Sequence, residues 1–246
     1  PPRRLYTMSP AKLEFLRAEL KKLLDLEHIA PTDSLWLHPV LVAMRPGSEK
    51  MRLCIDFRYV NEHSEGDGNV ISSPKQIFAA MANSSIYSVI DLTAAFHQLP
   101  LWGPHQQLLS MSTPLGNYAW RVAPFGYKRS SQHLQTVMLE VLGPVLYKTC
   151  GLLADDIIVW SKTWADHERD LHDILERLDA YNLRVKPEKL QLGQRQVKYL
   201  GRIVSAGRVA PDPEQLRPIT DLSLPTTFGK MRSALGFAGW FSQHTP

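Results

Sequence analysis

The side chains in this sequence best suited to chemistry are aspartates. Asp155 and Asp156 stand side by side in Cys150-Gly151-Leu152-Leu153-Ala154-Asp155-Asp156-Ile157-Ile158-Val159-Trp160, a short acidic centre between two apolar arms. Asp91 ends another apolar run, Ile86-Tyr87-Ser88-Val89-Ile90. Neighbours in a flat strand face opposite sides of a sheet, so adjacent carboxylates in mid-strand could not share a site; at the tip of a hairpin they can. Three convergent carboxylates repel one another unless something cationic neutralises them. Mg²⁺ is the natural candidate, because it takes a few carboxylates together with substrate phosphates. Two such ions, about 3.5–4 Å apart, can clamp the attacking and leaving oxygens of a phosphoryl transfer. Read alone, an Asp-Asp pair is also compatible with a turn cap or a solvated loop.

The elements that must position these residues are legible in outline. Ser9-Pro10 reads as an N-cap and first helical residue, and Leu13, Leu16, Leu20, Leu23 and Leu24 follow at helical spacing. Pro39–Ala43 and Arg52–Phe57 read as strands joined by a turn at Arg45-Pro46-Gly47-Ser48. Residues 61–73 read as a loop, then Pro74–Ala82 as a helix. Ile86–Ile90 is a β-branched and aromatic strand that delivers Asp91. A second hairpin covers roughly 108–122 and turns at Pro114-Leu115-Gly116-Asn117; residues 131–147 look helical. Asp166–Ala180 is a helix with Leu171, Ile174, Leu175 and Leu178 on one face. Its two histidines, His167 and His172, are off-register for a shared metal and read as solvated. Tyr199–Val204 reads as one strand, and a last helix starts near Thr226 or Thr227. Helices mixed with hairpins, without strict βαβ alternation, predict an α+β fold with an antiparallel sheet.

Composition narrows the classes. A chain of 246 residues, 44% hydrophobic and 21% charged, can bury a substantial core. Its longest apolar runs fall far short of the ~18 residues of a membrane span. The start, Pro1-Pro2-Arg3-Arg4, has no following apolar stretch, so no secretory leader is expected. The absence of an initial Met points to a chain cut from something longer. Cys54 and Cys150 are too few for a disulfide framework or a four-ligand zinc site, and read as buried thiols in a reducing compartment. The formal charge of +4 fits a polyanionic partner without singling one out.

Several blocks, in order, carry a resemblance. They are Leu37-His38-Pro39-Val40-Leu41-Val42, Met51-Arg52-Leu53-Cys54-Ile55-Asp56-Phe57-Arg58-Tyr59-Val60-Asn61, Asp91-Leu92-Thr93-Ala94-Ala95-Phe96-His97-Gln98, and Thr113-Pro114-Leu115-Gly116. Pro124-Phe125-Gly126, the acidic hairpin, Pro187-Glu188-Lys189 and Tyr199-Leu200-Gly201 follow. From about residue 10 to 246 the sequence resembles the reverse transcriptases of gypsy-type long-terminal-repeat retrotransposons, and more distantly those of retroviruses.

The resemblance implies a right-hand polymerase fold: fingers from 1–66 and 99–129, palm from 67–98 and 130–207, and the start of a thumb over 208–246. It implies a DNA polymerase that extends a primer on an RNA or DNA template with dNTPs. Asp91, Asp155 and Asp156 would hold two Mg²⁺ ions, with Mn²⁺ as a substitute and Leu92 beside them at the metal site. Lys189 would assist proton transfer to pyrophosphate. Arg45 and Arg52 fall where the family places basic residues on the triphosphate, and guanidinium forks suit phosphate oxygens. Phe96, next to Ala95, matches an aromatic that blocks a ribose 2′-hydroxyl, and Phe125 and Gly126 would line the nucleotide pocket. Gln135, Leu153, Tyr199, Leu200 and Gly201 would lie along primer and template. The family further implies a longer Pol polyprotein with protease, ribonuclease H and integrase, a possible dimer, no membrane partner, and an intracellular setting, either a cytoplasmic virus-like particle or the nucleus.

The sequence also departs from the family. Leu153 replaces the Tyr of Tyr-x-Asp-Asp, and Leu108-Leu109 replaces Lys-Thr. Arg129-Ser130-Ser131-Gln132-His133-Leu134-Gln135 stands for Asn-Ala-Pro-Ala-Thr-Phe-Gln. Glu65-Gly66 replaces a basic pair, and Asn69-Val70-Ile71-Ser72 replaces Tyr-Pro-Leu-Pro. Lost polar and basic contacts weaken phosphate binding. The alternative to an active enzyme is a transposon-derived module that kept the fold for binding nucleic acid or another partner.

Overall fold

The structure is a computed structural model, and it describes residues 5–44, 47–65, 73–214 and 227–241. The helices are α1 (Pro10–Asp25), α2 (Arg58–His63), α3 (Pro74–Ala80), α4 (Gly103–Leu108), α5 (Lys128–Leu142), α6 (Trp164–Ala180) and α7 (Phe228–Phe241). The strands begin with β1 (Ile29–Pro31), β2 (Leu37–Met44), β3 (Met51–Ile55), β4 (Ile86–Asp91), β5 (Ser110–Thr113) and β6 (Gly116–Trp120). They continue with β7 (Cys150–Leu153), β8 (Asp156–Ser161), β9 (Gln191–Gln194), β10 (Gln196–Tyr199), β11 (Arg202–Ser205) and β12 (Arg208–Pro211). Two compact units form. Unit 1 comprises Pro1–Val70, Thr93–Glu140 and Asn182–Arg184; unit 2 comprises Ile71–Leu92, Val141–Tyr181 and Val185–Pro246.

Unit 1 is built on a sheet of order β1-β6-β5-β2-β3, antiparallel except where β2 runs parallel to β5. The leucine stripe of α1 explains its docking: Leu16, Leu20 and Leu23 are buried with Ile29, Val40, Phe57 and Trp120. Each such side chain stabilises by roughly 1.5–3 kcal/mol relative to exposure. Just past β3, buried Asp56 accepts two bonds from the Arg58 guanidinium (2.8 and 2.7 Å) and one from the Tyr6 hydroxyl (3.0 Å). The Arg58 hydrogen bonds hold its carboxyl well below the usual range. The stretch read as a loop from residue 61 begins instead inside α2.

Unit 2 carries an antiparallel four-stranded sheet of order β7-β8-β4-β9 and a second sheet of order β10-β11-β12. Its core joins Ile77, Met81, Tyr87, Val89, Ile158, Trp160, Val197 and Tyr199. Gly151 in β7 lets α3 come close: a Cβ there would lie 2.5 Å from the Ile77 Cγ2. Helix α6 packs on β4 and β8.

The solvated reading of His167 is corrected: it is buried, whereas His172 is exposed. His167 falls four, seven and eleven residues before Leu171, Ile174 and Leu178, on the same helical face. Its ring bridges Ser88 (2.7 Å) and Ser161 (3.2 Å), so burial leaves it satisfied and holds its pKa below the ordinary imidazole value. Leu175, expected on that face, is exposed. The single strand expected over Tyr199–Val204 is corrected to a hairpin. Leu200 and Gly201 both take positive φ (48° and 72°) and form the two-residue turn between β10 and β11. Cys150 is buried and its thiol is pushed up to about 12, chiefly by burial, whereas Cys54 is only half-buried.

Candidate active site

The carboxylates are brought together by strand register. Antiparallel pairing of β4 with β8 sets Asp91 directly opposite Asp156, the last residue of one strand and the first of the other. Leu153 pairs with Asp156 across the β7–β8 hairpin, so Ala154 and Asp155 form its two-residue turn. Ala154 takes a left-handed φ of 56°, a conformation that costs a non-glycine residue about 1 kcal/mol or more. The strain sits beside the pair of acids it helps to aim.

Lys189 completes the cluster. It ends the 3-10 turn Pro187–Lys189, and its Nζ donates to Asp91 Oδ2 at 2.6 Å. The Lys186 backbone N–H donates to the Asp91 carbonyl (2.8 Å), tying that turn to the end of β4. Burial raises the pKa of Asp156, with Asp155 and Asp91 adding to the rise and Lys189 opposing it. The hydrogen bond to Asp91 raises the pKa of Lys189, so it keeps its proton at neutral pH. Tyr199 lies buried beneath the hairpin and donates its hydroxyl to the Asp156 carbonyl at 3.2 Å. Leu153 packs at the margin of the same core.

Among the described residues, no three His, Cys, Asp or Glu side chains are gathered closely enough to enclose a metal by themselves. The donors nevertheless suit a hard divalent cation. All are carboxylate oxygens, their mutual repulsion calls for positive charge, and an incomplete protein cage leaves coordination places for substrate phosphates.

The other expected residues divide by unit. Asp91, Leu92, Leu153, Asp155, Asp156, Lys189, Tyr199, Leu200 and Gly201 belong to unit 2; Arg52, Ala95, Phe96, Phe125, Gly126 and Gln135 belong to unit 1. Arg45 lies outside the described residues. In unit 1, Phe96 stands in the 3-10 turn Ala95–Gln98 and meets exposed Phe125 edge-on, with ring centroids 5.0 Å apart. Gly126 has φ 91°, and the Asn61 side chain holds its carbonyl at 2.9 Å while accepting from the Lys128 N–H at 3.0 Å. Arg52 is exposed on β3.

Sequence reasoning assigned no role to His97 or Asn61. His97 lies 5.0 Å from the Phe125 ring, 5.3 Å from Trp120 and 5.1 Å from His28. Its place directly after Phe96 was the available signal.

Comparison with known proteins accounts for this arrangement. The sequence profile of the reverse transcriptase (RNA-dependent DNA polymerase) family matches residues 30–204, and the chain belongs to that family. Its relatives include the retrovirus-related Pol polyproteins of the Drosophila melanogaster transposons gypsy and opus. They are 31% and 29% identical over 93% and 91% of this chain, which makes it a gypsy-type domain. The chain spans 22% and 23% of those two relatives. Among solved structures, a foamy viral protease–reverse transcriptase in complex with double-stranded DNA matches with a TM-score of 0.88. It is 20% identical, over 98% of this chain and 42% of that one. The same viral enzyme with an RNA/DNA hybrid gives 0.85, again at 20% identity, over 98% of this chain and 32% of that one. The fold is accordingly α+β of the right-hand polymerase type, with an antiparallel sheet carrying the carboxylates.

Proposed function

We propose that this chain is the polymerase portion of a Pol polyprotein and extends a primer with dNTPs on an RNA or DNA template. The observation that carries the reading is the register pair Asp91–Asp156, with Asp155 at the adjoining turn and Lys189 on Asp91. Asp91, Asp155 and Asp156 would hold the metal. Two Mg²⁺ ions bound there would activate the primer 3′-hydroxyl and offset the charge of the triphosphate.

The protein's own groups do the rest. Lys189, protonated at neutral pH, is a proton donor for the departing pyrophosphate. The Tyr199 hydroxyl and the β4–β8 pairing hold the Asp156 backbone still, so the carboxylates need little reorganisation. Arg52 offers a guanidinium fork to phosphate oxygens. Phe96, backed edge-on by Phe125, presents a hard aromatic surface that would exclude a ribose 2′-hydroxyl. The fingers, 1–66 and 99–129, would fall within unit 1; the palm, 67–98 and 130–207, would take in the four-stranded sheet. A longer polyprotein accords with the Pol relatives, and an intracellular site of action is proposed with it.

Leu153 leaves the carboxylate donors intact, because the family's Tyr in that place is not a metal ligand, but it removes a hydroxyl from beside the primer end, so the rate of extension is what it would change. Primer extension on poly-rA and on DNA templates, with Mg²⁺ or Mn²⁺, tests the reading. Wild type is expected to extend and Asp155→Asn to lose extension while still binding template. No extension by wild type under any of these conditions, with template bound, would overturn it.

A further inference from the structure

Unit 1 carries an aromatic groove that none of these roles uses. Two adjoining hollows, of about 420 and 340 Å³, share His105, Tyr127 and Arg129 as common walls. Trp102 and His133 continue the first; Trp36, Tyr59 and His63 continue the second. The two tryptophans are 70% and 49% exposed, although burying an aromatic ring of this size is strongly favourable. Trp102 is held in place even so. The Trp102 ring meets His105 edge-on at 5.4 Å, and the His105 N–H donates to the Trp102 carbonyl. Tyr59 and His63 stack at 4.2 Å with 27° between planes, and Tyr127 is braced edge-on by buried Phe57 at 6.2 Å.

Charge decides what would lie on these rings. Among the described residues nothing pairs with the exposed Arg129 guanidinium. Among the described residues, no acidic side chain lines the first hollow, and Glu65 is the one that lines the second. Arg129 and His133 both belong to the block that departs from the family sequence, so the departure adds a cation and an imidazole to this groove. Aromatic platforms on either side of a free guanidinium match two bases flanking a phosphate. Stacking on such platforms is worth about 1–3 kcal/mol per base and tolerates any sequence. The guanidinium fork matches a phosphate diester. A proline-rich peptide would also use exposed aromatics, but it would leave Arg129 without a counter-charge.

We propose that this groove is a binding track for single-stranded nucleic acid, with bases on Trp102 and Trp36 and a backbone phosphate on Arg129. It rests on the proposed function only in taking nucleic acid as the partner. The test is fluorescence anisotropy with a labelled 20-nucleotide oligo-dT and with a blunt duplex of the same length, on wild type, Trp102→Ala and Arg129→Gln. Each variant is expected to weaken single-strand binding about 5- to 50-fold and to leave duplex binding unchanged. Arg129→Gln should also flatten the salt dependence by about 0.7 in log–log slope.

An oligonucleotide carrying 5-iodouracil should photocrosslink to peptides containing Trp102 or Tyr127. Arg129→Gln, an exposed polar exchange, keeps the test valid if Trp102→Ala folds poorly. Unchanged single-strand affinity in Arg129→Gln would overturn the proposal. So would dTMP binding as tightly as the strand, or a proline-rich peptide displacing the strand from wild type without any dependence on Arg129. Primer extension failing while strand binding tracks Trp102 and Arg129 removes the polymerase reading and keeps the groove. Intact extension with unchanged strand binding does the reverse.

Discussion

The acidic end of unit 2 and the aromatic side of unit 1 are positioned by different means. In unit 2, backbone pairing does the placing: Asp91 and Asp156 face each other because β4 and β8 are in register, and Asp155 follows from a two-residue turn. In unit 1, loop conformation and side-chain packing do the placing. Phe96 follows the left-handed Ala94 (φ 44°), Gly126 needs φ 91°, and Asn61, His97 and Trp120 hold the surrounding loops. Register is close to all-or-none, because a one-residue slip turns every side chain to the other face. Loop packing is graded. On the proposed function, chemistry would rest on the stiff device and selection on the adjustable one.

The largest effect expected from this contrast is at Asp156. Asp156→Asn should lower the extension rate by about 10³-fold or more, roughly 4 kcal/mol of barrier. The same change should raise thermal stability in EDTA by about 2–4 °C, because it removes a half-buried charge repelled by Asp155 and Asp91. Loss of rate together with a lower melting temperature would show the acid to be structural.

Next in size is a pH effect at His97 in unit 1. Burial, then His28 and Lys22, push His97 down to about 4 from 6.5. The unfolded chain therefore binds the proton more readily. Stability is full above pH 6.5, falls between 6.5 and 4 by at most about 3 kcal/mol, and is flat below. Urea denaturation across this range should show the slope in wild type and a smaller slope in His97→Phe, the remainder coming from His28, His133 and His167, which burial also holds below the ordinary imidazole value.

A packing effect comes third. Gly151→Ala should cost about 1–3 kcal/mol by urea denaturation, because the new methyl meets Ile77 at 2.5 Å. A neutral outcome would mean that α3 yields freely, and the sheet of unit 2 would be less stiff than the contrast requires.

The smallest is Phe96→Ala. Ribonucleotide use relative to deoxynucleotide should rise about 10-fold or more, with overall stability lowered only modestly because Phe96 is partly exposed. Unchanged discrimination would move the selecting surface elsewhere in unit 1.

Much of unit 2 was legible because its logic is local. An apolar run ending in Asp, and an acidic centre between apolar arms, already imply strand ends and a hairpin tip. What escaped depended on exceptions to local rules. Leu200 in a left-handed turn gives no turn signal, since glycine or asparagine usually stands there, so two strands read as one. His167 looked solvated because histidine is polar, although its spacing with Ile174 and Leu178 put it on the buried face. In unit 1, the family blocks located Phe96, Phe125 and Gly126. They could not show that Asn61 bridges 65 residues to hold the Gly126 carbonyl. Nor does any local pattern bring Trp36, Tyr59 and Trp102 to a groove around Arg129.

The most direct measurement of the central claim is single-nucleotide addition to a labelled primer on an RNA template. Wild type and Asp91→Asn would be compared at equal template occupancy, with and without Mg²⁺. Wild type should convert primer to the one-nucleotide-longer product only with the metal, and Asp91→Asn should form at least about 10³-fold less of it. Extension by Asp91→Asn at the wild-type rate, or none by wild type with template fully bound, would contradict the account.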